Sequence, residues 1–271
     1  MRLTILGCRA GVPADGEPSS GYLVETAATR LLLDCGPGIA TALSGILPAV
    51  DLDAVILSHL HSDHCYDLLP IGKSLLNRLA HFPGLGFETA GEFRPVPLYV
   101  PAGSGDLLRR WAGLFPVAST PILDRAFEVA FDVREYSPGD VVTVGDCTIT
   151  LVELRHAAPN CGIRVLGPDS ALAYTGDTGM TPALIDLARG VDLLVAEATL
   201  AEPDPGPHGH LCGREAGRVA AEAAVGALLL THLPTRDKAW LDANRAAAAG
   251  EFDGPIRIAR PAERIEIRAG R

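Results

Sequence analysis

The chain has 271 residues, 48% of them apolar and 21% charged, a balance that builds a globular core and excludes a disordered chain. Its 33 acidic against 23 basic side chains leave a net charge of −10, which disfavours extended nucleic-acid binding unless a local basic patch exists. The 29 glycines and 21 prolines suit many short elements joined by turns, and they exclude a long helical bundle.

Short apolar runs at Leu3–Leu6, Tyr22–Glu25 and Leu31–Asp34 read as strands, the first too short for the apolar region of a signal peptide. Ala54–Ser58 has the pattern of a strand buried on both faces. A helix is expected over Asp67–Ala80, with Pro70 and Gly72 weakening its first turn. His81–Pro97, rich in Gly and Pro, reads as an irregular insertion that can serve as a lid. A strand at Leu98–Val100 and a helix at Gly105–Leu114 follow. Phe127–Arg134, Val141–Val144 and Thr148–Leu154 then read as a meander, with a tight turn at Gly145-Asp146.

The second half alternates strands at Ile163–Leu166, Leu172–Thr175, Leu193–Ala196 and Ala227–Thr231 with helices at Pro182–Arg189, Arg214–Ala224 and Lys238–Ala249. Ile256–Ala259 and Arg264–Ile267 close the chain as strands. No linker interrupts this order, so residues 1–271 read as one domain built from two similar halves. No apolar stretch is long enough to span a membrane. The six cysteines form no CxxC pair and no disulfide framework, which points to a reduced, cytoplasmic protein.

The chemistry concentrates in Ser58-His59-Leu60-His61-Ser62-Asp63-His64, directly after the buried strand. His59 and His61 lie two apart in extended chain and point to one side. Asp63 and His64 fall where the chain turns into a helix, so all four side chains can converge on a metal. Further ligands must come from elsewhere. His156 follows the strand Thr148–Leu154, Asp177 sits between Gly176 and Gly179, which let backbone approach a metal closely, and His232 follows the run Ala227–Thr231. Polar residues at the ends of buried strands are where α/β folds place their sites. Gly84-Leu85-Gly86 and Ala102-Gly103-Ser104-Gly105 lack the remaining residues of a dinucleotide fingerprint or a nucleophile elbow.

The order His-x-His-x-Asp-His, then His, Asp and His, resembles the metallo-β-lactamase superfamily, and the match spans Leu3 to His232. The resemblance implies an α/β fold, a four-layer αββα sandwich with pseudo-two-fold halves. It implies that His59, His61 and His156 hold one divalent ion, that Asp63, His64 and His232 hold a second, and that Asp177 bridges them. Zinc is the expected metal, with manganese as its alternative. An Asp at the bridging position, with no Cys in its place, favours the phosphodiesterase branch over true β-lactamases.

Glu197 in Glu197-Ala198-Thr199, and His210 in His208-Gly209-His210, resemble the Glu- and His-bearing motifs of the ribonuclease Z-like subgroup. By that likeness His210 touches the scissile phosphate and protonates the leaving group, with Glu197 supporting it. Asp63 would orient the nucleophile and accept its proton, while His208 reads as a solvated neighbour. The segments Leu6–Pro13 and Glu251–Pro255 are similar to relatives described as atypical cyclic-nucleotide phosphodiesterases. The expected function is therefore hydrolysis of a small phosphodiester, a cyclic nucleotide first, by a hydroxide bridging two metals. The alternatives are a ribonuclease Z-type endonuclease, or a hydrolase of a carboxylic ester, lactone or thioester. The expected partner is a small-molecule substrate, with no nucleic acid or membrane, and the resemblance implies a homodimer.

Overall fold

The computed structural model describes residues 1–76 and 93–269. Its first half runs β1 (Arg2–Gly7), β2 (Gly21–Glu25), β3 (Arg30–Leu33), α1 (Ile39–Ser44), β4 (Ala54–Ile56), α2 (Ser62–Cys65) and α3 (Leu68–Leu76), then β5 (Val96–Pro101), α4 (Gly105–Ala112) and β6 (Phe131–Tyr136). The second half runs β7 (Val141–Val144), β8 (Cys147–Leu154), β9 (Asn160–Leu166), β10 (Ala171–Tyr174) and α5 (Ala183–Ala188). It continues with β11 (Leu193–Glu197), α6 (Gly213–Glu222), β12 (Leu228–Thr231), α7 (Lys238–Ala249), β13 (Ile256–Ile258) and β14 (Arg264–Glu266).

Among the described residues the strands form two seven-stranded sheets, ordered β14-β1-β2-β3-β4-β5-β6 and β13-β12-β11-β10-β9-β8-β7. Each sheet passes from antiparallel to parallel pairing at the same point, after β3 in one and after β10 in the other. The two halves therefore share one topology, as their sequence echo suggests. Leu3, Ile5, Leu31 and Ile56 of the first sheet pack between the layers against Ile149, Ile163, Leu172 and Leu229 of the second. On the outer faces, α1, α3 and α4 cover one sheet, while α5, α6 and α7 cover the other. The central strands β3, β4, β10, β11 and β12 are buried on both faces, which is why their runs of apolar residues are nearly continuous. The outer β6, β7, β13 and β14 are partly exposed. The result is an αββα sandwich.

Three expectations change. The run Phe127–Arg134 is not one strand: Ala126–Ala130 forms a wide helical turn, and β6 begins only at Phe131. β6 pairs in parallel with β5, so the meander starts at β7 instead. Alternating apolar residues buried on one side satisfy either geometry, which is why the pattern misleads here. Of the expected insertion His81–Pro97, residues 81–92 lie outside the described residues, whereas Val96 and Pro97 already belong to β5. The expected helix Asp67–Ala80 begins one residue later, and its residues 77–80 lie outside the described ones; Pro70 falls in its first turn, where a missing N–H costs nothing. Its Gly72 packs so tightly that a Cβ would meet Ala126 and Phe131 at 2.9 Å.

Candidate metal centre

The C-terminal ends of β3, β4, β8, β10, β11 and β12 gather at one rim, and each delivers a polar residue there. β4 delivers His59 and His61, and α2 turns Asp63 and His64 back over them. β8, β10 and β12 deliver His156, Asp177 and His232. The structure brings together all seven expected ligands in two groups. His59, His61, His156 and Asp177 have one donor atom each within 4.8 Å of one another, and so do Asp63, His64, Asp177 and His232. Asp177 belongs to both.

Hydrogen bonds behind the rings decide which atoms face the site. Asp34, fully buried after β3, accepts from Ser58 N–H at 2.7 Å, Ser58 O–H at 2.7 Å, His64 Nδ1–H at 2.7 Å and Tyr174 O–H at 2.6 Å. A carboxylate only accepts, so His64 must carry a proton on Nδ1, and Nε2 is the nitrogen that faces inward. Because Ser58 spends its proton on Asp34, it accepts from His59 Nδ1 at 3.0 Å, and His59 also aims Nε2 inward. His156 Nδ1 donates to the Gly209 carbonyl at 3.0 Å. His61 alone turns Nδ1 to the site, 3.0 Å from His156 Nε2.

This donor set fits metal ions. Two nitrogens bound tetrahedrally at about 2.1 Å stand roughly 3.4 Å apart, and His64 Nε2 and His232 Nε2 are separated by 3.4 Å. His59 Nε2 and Asp177 Oδ1 are buried with no hydrogen-bond partner, acceptors aimed at a common volume. The electrostatics agree. Burial pushes His59, His61 and His156 below the usual imidazole range, keeping them neutral ligands. Burial also opposes charge on His64, but Asp177 and Asp34 outweigh it and raise its pKa. Burial alone would raise Asp177 and Asp63, yet the neighbouring His232 and His64 hold both well below the usual carboxylate range. The carboxylates thus create a field that favours positive charge where the rings meet.

Backbone strain marks the same rim. Asp34 and His232 both adopt positive φ, 57° and 54°, a conformation uncommon for non-glycine residues, which Asp15, Ala224 and Ala262 also hold elsewhere in the chain. The glycines beside Asp177 have different work from that expected of them. A Cβ on Gly176 would lie 2.7 Å from Asn160 Oδ1 and from Ser58 Cβ, so its smallness lets β10 close against the His59 strand. A Cβ on Gly179 would lie 1.8 Å from Arg155 Nη2.

Glu197 and His210 stand at the lip. Glu197 is fully buried and accepts from His210 Nδ1 at 2.9 Å and from Thr178 N–H at 2.7 Å. Burial lowers the affinity of His210 for a proton, but the hydrogen bond and charge of Glu197 more than reverse this and raise its pKa. The His210 ring lies 5.3 Å from that of His156 and 5.7 Å from that of His232. His208 is exposed, its ring nearly parallel to His61 at 6.5 Å, and it does not reach Glu197. Cys65 donates to the Leu60 carbonyl at 3.6 Å, and burial pushes its thiol up to about 12, so it is an inert packing residue.

Asp34 escaped the sequence reading as a functional residue, although the run Leu31–Asp34 ends on it. Removing its carboxylate leaves four buried donors without an acceptor. Asp34→Ala is expected to lower stability by about 3–5 kcal/mol and to weaken metal binding roughly 10- to 100-fold. Urea unfolding and zinc competition titration measure the two effects.

Fold and donor set together define a metallo-hydrolase. The Beta-lactamase superfamily domain matches residues 29–233, and the chain belongs to that superfamily. It is 36% identical over 277 residues to Uncharacterized protein Rv1339 of Mycobacterium tuberculosis, covering 99% of this chain and 93% of that protein. It is 33% identical to Probable metallo-hydrolase YhfI of Bacillus subtilis, covering 96% and 97% of the two chains. The crystal structure of YhfI superposes with a TM-score of 0.80, covering 97% of this chain and 98% of YhfI at 30% identity. Ribonuclease Z of Nocardia farcinica is 29% identical over 98% of this chain and 97% of its own.

Proposed function

We propose that the protein is a dimetal phosphodiesterase that hydrolyses a small phosphodiester, a cyclic nucleotide being the first candidate. The observation that carries this reading is the His210–Glu197 pair, an imidazole bonded at 2.9 Å to a buried carboxylate that raises its pKa, beside two adjoining sets of metal donors. Two divalent ions, zinc first, would be held by His59, His61, His156 and Asp177 and by Asp63, His64, His232 and Asp177. Bound there, such ions make water a competent nucleophile near neutral pH and neutralise charge on phosphoryl oxygens.

The chain's own residues supply the rest. Asp63 accepts from Gly11 N–H at 2.8 Å and lies 3.0 Å from His232 Nε2. Held strongly ionised, it orients more readily than it stores a proton. His210 donates from Nε2 to the departing oxygen while Glu197 keeps Nδ1 protonated. A carboxylic ester or lactone also expels an alkoxide; a phosphodiester comes first because the same acid stands there beside two metal positions suited to phosphoryl charge, and because a relative is named Ribonuclease Z.

A ribonuclease Z-type reading rests on the Nocardia relative's name and is weakened by the surface. Lys238, Arg245, Arg257 and Arg260, dispersed in sequence, do meet around a cleft of about 680 Å³. Yet Asp242 pairs with Lys238 and Arg245, and Glu263 pairs with Arg257, so two carboxylates offset half of the cleft's positive charge. The test is turnover of cyclic AMP, a transfer-RNA precursor, a chromogenic phosphodiester and a lactone by metal-loaded protein. Cyclic AMP is expected to give the highest kcat/KM of the natural bonds. Efficient cutting of the precursor with cyclic AMP untouched reverses the order of the two readings.

A further inference from the structure

We infer that Thr199 is a positioning residue that joins the second metal position to the leaving-group acid, so that the two are energetically linked. The inference rests on the dimetal reading above.

The parallel pairing of β11 with β12 sets Glu197 against Thr231, and Ala198 N–H donates to the Thr231 carbonyl at 2.9 Å. That register carries Thr199, just past the strand end, against His232. Its hydroxyl lies 2.7 Å from Glu197 Oε2 and 2.8 Å from His232 Nδ1. Of its two acceptors, the Glu197 carboxylate at 2.7 Å and the His232 carbonyl at 3.1 Å, the nearer and charged one takes the single hydroxyl proton, so Thr199 accepts from His232 Nδ1–H. Two results follow. His232 is fixed in the tautomer that presents a bare Nε2 beside His64 Nε2 and Asp63 Oδ2. Glu197 is held by Thr199 on one oxygen and by Thr178 N–H and His210 on the other.

A continuous chain therefore runs from His232 through Thr199 and Glu197 to His210. Each link orients the next, so a cation on Nε2 of His232 strengthens the Nδ1–H donor and firms the whole series. By linkage the effect is reciprocal: whatever loosens Glu197 must also weaken the ion at His232. Valine is nearly the shape of threonine but has neither donor nor acceptor. Serine keeps both.

The test is competition titration of zinc against a chromogenic chelator, with the wild type, Thr199→Val, Thr199→Ser, Glu197→Gln and the Thr199→Val/Glu197→Gln double variant. Thr199→Val is expected to weaken the second ion about 10- to 100-fold and the first by less than about threefold. Thr199→Ser should restore most of that loss. Glu197→Gln should also weaken the second ion, and in the double variant it should add little to Thr199→Val. Thermal melts of the metal-free variants check that each folds. Equal affinities in Thr199→Val and the wild type overturn the inference, as do equal losses at both ions or in the Val and Ser variants. A wild type that binds only one ion overturns the dimetal reading itself, and the inference with it.

Discussion

His210→Ala is expected to lower kcat for a cyclic nucleotide by about 100- to 10,000-fold, the usual worth of a positioned general acid. The same variant should lose far less on a p-nitrophenyl phosphodiester. A ribose alkoxide is a poor leaving group and departs only with a proton, whereas p-nitrophenolate departs without one. The geometry supports the distinction, because Glu197 occupies Nδ1 of His210 and leaves Nε2 free at the lip of the site. Metal content should stay at the wild-type level, since the two four-residue donor groups that share Asp177 do not include His210. If His210 only held the start of α6 in place, the two substrates would lose activity in the same proportion. Parallel kcat measurements on both substrates, with elemental analysis of each preparation, separate the cases.

Asp177→Ala should produce a loss of another kind. The carboxylate spans both donor groups, with Oδ2 at 3.8 Å from His59 Nε2 and 3.9 Å from His156 Nε2, and Oδ1 at 3.2 Å from His64 Nε2. Its removal would take a donor from both groups at once and strip His59, His64, His156 and His232 of the one carboxylate they share. Stabilisation of several kcal/mol by the ions is at stake, so turnover should fall by about 10³-fold or more. Both substrates should suffer alike, because the defect precedes leaving-group protonation. A leaving-group-dependent loss in Asp177→Ala, measured in the same assays, would assign the carboxylate a different part.

The donor residues were legible because metal chemistry leaves a dense local signature. Three histidines and an aspartate within six residues, after a buried strand, have few other uses, and β4 with α2 places them as expected. His156, Asp177 and His232 were weaker singly and became readable only as an ordered set at strand ends. What supports them was not legible in the same way. Thr199 acts on a residue 33 positions away through the β11–β12 register, and no local pattern announces a register. Asp34 ends an ordinary apolar run, and its four donors belong to Ser58, His64 and Tyr174, which lie 24, 30 and 140 positions away. The glycines around Asp177 pointed to close approach correctly, but what approaches is Ser58 and Arg155 rather than the metal position. Periodicity also failed at Ala126–Ala130, where burial on one side is common to a strand and a wide helical turn.

The most direct measurement is elemental analysis of natively purified, extensively dialysed protein, alongside His64→Ala. About two divalent ions per chain are predicted for the wild type. About one should remain in the variant, because His59, His61 and His156 with Asp177 still form a complete donor set. A wild type that is fully active with one ion, or with none, contradicts the two-ion centre on which the proposed chemistry depends.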